Sequence, residues 1–254
     1  MSIKTNLAPF AAGTPEDERR RTTQPIVTGT SVLAVAFQDG VVMLADTLGS
    51  YGRMSRFRNF QRLRAFGGRV LVGASGDLGD FQAIADLLER RRVADVCADD
   101  GAAADAKETL SFLSRVMYQR RNKMNPLWND LVVAGEVDGE RGLVLGAVDK
   151  LGNAYRESFV ATGFGAHLAL PLMRERWRAD MKESEAVKLL EDCARVLYYR
   201  DCRTVNKMQR ATVTRDAEDG TVRVRVSEPY VLETQWSFQS FVNPKAGGDT
   251  GGSW

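Results

Sequence analysis

The feature that most constrains this chain is a series of strand-sized apolar runs joined in pairs through glycine. Val32 to Phe37 and Val41 to Ala45 flank Asp39-Gly40, and Arg62 to Phe66 and Arg69 to Ala74 flank Gly67-Gly68. Further on, Leu131 to Gly135 and Leu143 to Val148 flank Asp138-Gly139, and Ala211 to Arg215 and Val222 to Val226 flank Asp219-Gly220. Such pairs readily adopt the positive φ angles of tight hairpins. Strand groups joined this way favour antiparallel sheets.

Between the hairpins the apolar period changes. Phe81, Ile84, Leu87 and Leu88 recur at helical spacing, as do Leu110, Leu113, Val116 and Met117, with a loop at Asp99 to Asp105 between them. A strand over Ala154 to Ala161 follows a turn at Leu151-Gly152-Asn153. A second helical pair comes next. One helix covers Ala166 to Ala179 and breaks or begins near Pro171. The other starts around Ser184 as N-cap and carries Ala186, Val187, Leu190, Cys193, Ala194 and Leu197 on one face. The predicted order is four strands, two helices, three strands, two helices, two strands and a tail. Each sheet face needs a cover. The expected fold class is therefore α+β, a four-layer sandwich of helices, antiparallel sheet, antiparallel sheet and helices, with no internal repeat.

Composition narrows the chemistry. The 254 residues suit one large domain or two small ones, and 44% hydrophobic and 27% charged residues are ordinary for a globular chain. The one histidine, His167, excludes sites built on two histidines and reads as a structural residue. Cys97, Cys193 and Cys202 are widely spaced, with no Cys-x-x-Cys, and read as reduced thiols of a cytosolic or nuclear protein. Cys193 belongs to the core face of its helix, and Cys202 lies near the helix end. A net charge of +2 gives no strong pull on nucleic acid, and the apolar runs are too short to span a membrane. No cofactor or metal site is expected.

The two ends differ from the middle. Met1 to Thr22 lacks apolar periodicity and carries an acidic cluster at Glu16 to Glu18 before Arg19-Arg20-Arg21, which predicts a poorly ordered leader. The segment after Glu233 holds Trp236, Phe238 and Phe241 without a recognisable strand partner, then a glycine-rich stretch to Trp254. Unpartnered aromatics point to an interface.

The most informative segment is Val27-Thr28-Gly29-Thr30-Ser31-Val32-Leu33. A Gly-Thr junction just ahead of a strand suggests an N-terminal-nucleophile hydrolase. There a threonine hydroxyl attacks a carbonyl and the same residue's free amine is the base. That amine titrates near ~8, whereas a peptide nitrogen cannot serve. The chemistry therefore requires a cut between Gly29 and Thr30. The plain alternative is the start of a strand.

Thr30 to Asp46, with Gly73-Ala74-Ser75-Gly76 and Tyr199-Arg200-Asp201, resembles the proteasome beta subunits. The likeness extends over about residues 23 to 240. It is most specific at Leu48-Gly49-Ser50-Tyr51-Gly52, Arg56-Phe57-Arg58-Asn59 and Lys123-Met124-Asn125-Pro126-Leu127-Trp128-Asn129, where it points to a non-catalytic member.

The resemblance implies an N-terminal-nucleophile-hydrolase fold and a place for each active-site group. Thr30 matches the nucleophile, Asp46 the first aspartate and Asp201 the later one. Arg62 stands at the lysine position, Phe164 about where one serine belongs and Thr204 about where the other does. Guanidinium is wide, planar and always protonated, so it cannot exchange protons as lysine does. Phe164 offers no hydroxyl. The site reads as dismantled, with Asp46 and Arg62 left as a structural ion pair.

The resemblance further implies removal of residues 1–22 as a propeptide, by a cut before Thr23 or Thr22, which leaves Thr30 inside the chain. Residues 23–232 would form the beta-subunit domain, and residues 233–254 a tail reaching the opposite ring. The implied partners are other beta and alpha subunits. The implied role is structural support for protein degradation in cytoplasm and nucleus. The competing reading is an active threonine endopeptidase after cleavage at Gly29-Thr30.

Overall fold

The computed structural model describes residues 25–236, apart from 102, 139–141 and 217–219. The first hairpin pairs β2 (Val32–Phe37) with β3 (Gly40–Asp46), Val35 opposite Val42 and Ala34 opposite Met43. Side chains alternate across a strand. Here both faces are apolar: Leu33, Val35, Val42 and Leu44 enter one cluster, and Val32, Ala34, Val41 and Met43 another. Strands apolar on both faces need a cover on each side, and that need creates the layers.

Two antiparallel sheets result. In the first, β2 and β3 are joined by β11 (Phe159–Ala161), β12 (Lys207–Arg215) and β13 (Val222–Val226) in the order β11-β2-β3-β12-β13, with β14 (Tyr230–Val231) also on β12. The second has eight strands: β1 (Val27–Gly29), β4 (Gly49–Tyr51), β5 (Met54–Phe57), β6 (Leu63–Phe66), β7 (Val70–Asp77), β8 (Asn129–Glu136), β9 (Leu143–Val148) and β10 (Ala154–Arg156). Its order is β10-β9-β8-β7-β1-β4-β5, with β6 beside β7.

Helices α1 (Leu78–Ala98) and α2 (Ala106–Asn122) cover the eight-stranded sheet with Phe81, Ile84, Leu88, Leu110, Leu113 and Met117. Helices α3 (Gly165–Leu168), α4 (Leu170–Arg176) and α5 (Glu183–Arg200) cover the six-stranded one. Between the sheets, Val32, Met43, Leu71, Val132 and Val213 form the middle of the core. The architecture is the four-layer α+β sandwich.

Several elements differ from expectation. The run Ala154 to Ala161 is two strands, not one. Ala154–Arg156 pairs with β9, and after Glu157 and Ser158 the chain crosses to pair Phe159–Ala161 with β2 in the other sheet. Four short strands, β1, β4, β5 and β14, were not separately expected. The helix at Ala166 to Ala179 is two pieces, with Pro171 inside the first turn of α4, where its missing N–H costs nothing. Helix α5 begins at Glu183, so Ser184 lies inside it. Lys182 is the N-cap, and Glu185 accepts its N–H at 3.1 Å. A glutamate reaching back from the first turn does the work a serine cap would have done. His167 is exposed on α3, edge-on to Phe164. Cys193 is buried in the core. Thr22, Thr23, Phe238 and Phe241 lie outside the described residues, as do Gly139 and Asp219 of two expected turns.

Candidate functional site

Thr30 stands between β1 and β2. Its Oγ1 lies 3.5 Å from Asp46 Oδ1, at the end of β3, and 3.3 Å from Thr204 Oγ1. Thr204 in turn donates to Asp201 Oδ2 at 3.0 Å. Asp201 is the C-cap residue of α5, its own N–H bonded to Leu197 O at 2.7 Å. Thus Thr30, Asp46, Thr204 and Asp201 converge. Phe164 does not join them: its ring is 53% exposed and rests against His167.

Arg62 enters from the loop ahead of β6 and is fully buried. Its Nε donates to Asp46 O at 3.0 Å, and Nη1 donates to Thr30 O at 2.8 Å and Ala74 O at 3.3 Å. Nη2 donates to Ser31 O at 3.0 Å and to the Asp46 carboxylate. A guanidinium has five N–H groups and no acceptor. All five are matched here by oxygen, four of those oxygens on the main chain. The group is fully engaged in tying Thr30 and Ser31, just ahead of β2, to β3 and β7, and it has no lone pair with which to take a proton from Thr30. Burial pushes the Asp46 carboxyl above its ordinary range, against the opposing pull of Arg62 and of the Val205 N–H at 3.3 Å.

The space beside Thr30 is small. The cavity lined by Thr30, Asp46, Ala194, Leu197, Thr204 and Met208 measures about 10 Å³. That is about the room one water molecule needs.

The residues ahead of Thr30 are the part that sequence reasoning missed. β1 lies inside the eight-stranded sheet, with Thr28 opposite Ser50 of β4 on one side and opposite Asp77 of β7 on the other. Asp77 anchors it further: Oδ2 accepts the Ile26 N–H at 2.8 Å, while Oδ1 caps α1 through Gly79 and Asp80. Gly29 packs directly on Arg62, where an added Cβ would come within 2.5 Å of Cδ.

The specific run Lys123 to Asn129 holds this corner. Trp128 donates its N–H to Asp80 at 2.9 Å and accepts from Asp77 N at 2.8 Å, and Asn129 Nδ2 donates to Ser75 O and Asp77 O at 2.9 and 2.7 Å. Gly76, at φ +91°, allows the approach, since a Cβ there would sit 2.0 Å from Trp128 O.

Trp236, read from the sequence as an interface residue with a fold back on its own domain as the alternative, lies within the chain edge-on to Tyr198 and Tyr199 of α5 at centroid distances of 5.7 and 5.0 Å. It is 58% exposed, so part of the indole remains available. Among the described residues there is no cluster of three metal-ligating side chains, and no helix is long and apolar enough to cross a membrane.

Comparison with known proteins agrees with this architecture. A family model described as Proteasome subunit matches residues 26–213. The proteasome subunit beta type-4 of Arabidopsis thaliana is 48% identical over 239 residues, 94% of this chain and 93% of that protein. Its Xenopus laevis counterpart is 44% identical, covering 88% and 90%. The proteasome subunit beta type-7 of Saccharomyces cerevisiae is 42% identical, covering 77% and 76%. With the two-sheet sandwich, the converging threonine and aspartates and these matches together, the chain belongs to the proteasome beta-subunit family.

Proposed function

We propose that this chain is a non-catalytic structural and assembly subunit of the 20S proteasome beta ring. In that role it helps enclose the chamber in which other subunits degrade proteins delivered by the ATP- and ubiquitin-dependent route. The observation that carries the reading is β1. Thr30 follows a strand paired on both sides, and while the chain is continuous through that strand its nitrogen is an amide and not a base. A cut at Gly29-Thr30 would free that strand, and among the described residues β4 and β5 join the sheet through it. Arg62 supports the same conclusion, because every donor is committed and none can accept a proton.

In this reading residues 1–22 leave as a propeptide and the mature chain begins at Thr23 or Thr22. The flanking partners are beta neighbours in the same ring and an alpha ring beneath. The tail after Glu233 reaches the opposite beta ring. The particle works in cytoplasm and nucleus. The surviving hydroxyl of Thr30 and its contact with Asp46 favour the second reading, a threonine endopeptidase in its own right.

The intact mass of the subunit from the assembled particle separates the two. A chain beginning at Thr23 or Thr22 is expected. A chain beginning at Thr30, labelled by an electrophile that needs both the hydroxyl and the free amine, and unlabelled in Thr30→Ala, would overturn the structural reading.

A further inference from the structure

The tail leaves the domain along the C-terminal half of α5, and that path is held by side chains. Arg195 Nε donates to Glu233 O at 3.0 Å. Two residues on, the Tyr199 phenol takes both backbone groups of Gln235: it accepts the N–H at 2.8 Å and donates to the C=O at 3.2 Å. A single hydroxyl thus does what a strand neighbour would do, satisfying donor and acceptor of one residue. Trp236 then lies edge-on against Tyr198 and Tyr199, which are themselves in contact at 6.0 Å. Edge-to-face contacts of this kind fix ring orientation as well as position.

These contacts are not needed for the core. Among the described residues Leu232 is the last buried one, and residues 233–236 run along the surface. Gln235 and Trp236 are exposed, so water could satisfy the same backbone groups at similar energy. What the hooks supply is direction.

We infer that Tyr199 is a positioning residue for the tail: its phenol, with Arg195 and the Tyr198–Trp236 contact, fixes the point and direction from which residues 237–254 depart. This rests on the reading that the tail joins the two halves of the particle. Holding the departure point cuts the conformational search that a free tail would make before it docks. The partner would meet a preset aromatic surface formed by Trp236 and the two tyrosines.

The test uses the full-length subunit carrying Tyr199→Phe, which keeps the ring against Trp236 and removes only the hydroxyl. Amide exchange at Gln235 should accelerate roughly tenfold. Half-particles containing the variant should join severalfold more slowly than wild type, while the melting temperature of the subunit stays the same. Trp236→Ala, which keeps the phenol hooks, should slow joining less. Unchanged exchange at Gln235 overturns the latch. Faster exchange with normal joining overturns its positioning role. Deleting residues 237–254 tests the underlying reading separately: normal joining after that deletion sinks the tail hypothesis, and the latch is then judged on exchange alone.

Discussion

The segments by which the chain enters and leaves its domain are held in opposite ways. Residues 26–29 are built into the interior of a sheet, paired with β4 and β7, capped by Asp77 and backed by buried Arg62. Residues 233–236 lie on the surface of α5 and are held by the Tyr199 phenol, the Arg195 guanidinium and the two tyrosine rings against Trp236. A strand inside a sheet opens only when the sheet opens, whereas side-chain hooks on a helix surface can release by themselves. The first segment therefore has a fixed place in the fold. The second has a set direction and freedom to let go.

The largest effect should come from breaking the first segment's support. Arg62→Met leaves a buried aspartate and four carbonyl oxygens without their partner. Denaturant titration of the subunit should register a loss of about 3–5 kcal/mol. The sign of its pH dependence follows from Asp46. Burial already raises that carboxyl above its ordinary value of 3.8, and removing the guanidinium raises it further. The folded variant then holds a proton that the unfolded chain releases. Its destabilisation should therefore be smallest in acid and grow as pH rises through the folded-state pKa. A loss independent of pH would mean that Asp46 is not the exposed liability.

Asp77→Ala should cost less, about 1–2 kcal/mol, because it removes the cap of α1 together with the hook on Ile26. Amide exchange should rise at Ile26 and at the start of α1 but not at Gln235. Acceleration at both ends of the chain would erase the contrast between them.

The smallest effect concerns what opening the second segment leaves untouched. Cys193 lies on the buried face of α5, and burial pushes its thiol up to about 12. In wild type and in Tyr199→Phe alike, a thiol reagent at pH 8 should label exposed Cys97 and Cys202 and spare Cys193. Labelling of Cys193 in the variant would show that the hook stabilises the helix rather than the tail. The same shift should make stability fall as pH climbs from about 9 toward 12, where only the unfolded chain ionises that thiol.

The layered fold was legible because its hairpins announce themselves. Asp39-Gly40 and Gly67-Gly68 sit between runs whose alternation or length survives inspection, and β3 is buried at every residue. By contrast β5, Met-Ser-Arg-Phe, is exposed at every residue, so no face of it is apolar and no period emerges. The Ala154 to Ala161 run reads as one strand because a change of sheet leaves no mark but two polar residues, Glu157 and Ser158.

At the site, the replacement at position 62 and its ion pair with Asp46 could be read from the sequence, whereas the rest of the network around the guanidinium could not. Its other four acceptors are main-chain oxygens of residues 30, 31, 46 and 74, and any residue type carries those. Trp236 looked unpartnered for a similar reason. Its partners, Tyr198 and Tyr199, sit on a helix, and no strand pattern links them to the tail.

Arg62 also bears on how this sequence can change over time. The network around it stabilises the fold and also acts as a ratchet. A lysine at position 62 brings three donors to a place that satisfies five, and its single ammonium cannot span the carbonyls of Thr30, Ser31 and Ala74 together. Restoring the family's catalytic cation in one step would therefore weaken the joint between the two sheets before it returned any chemistry. In a chain left uncut at Gly29-Thr30, Thr30 would still be an amide behind β1. Any such reversal would need several coordinated changes, each harmful alone, so folding itself now guards the arginine.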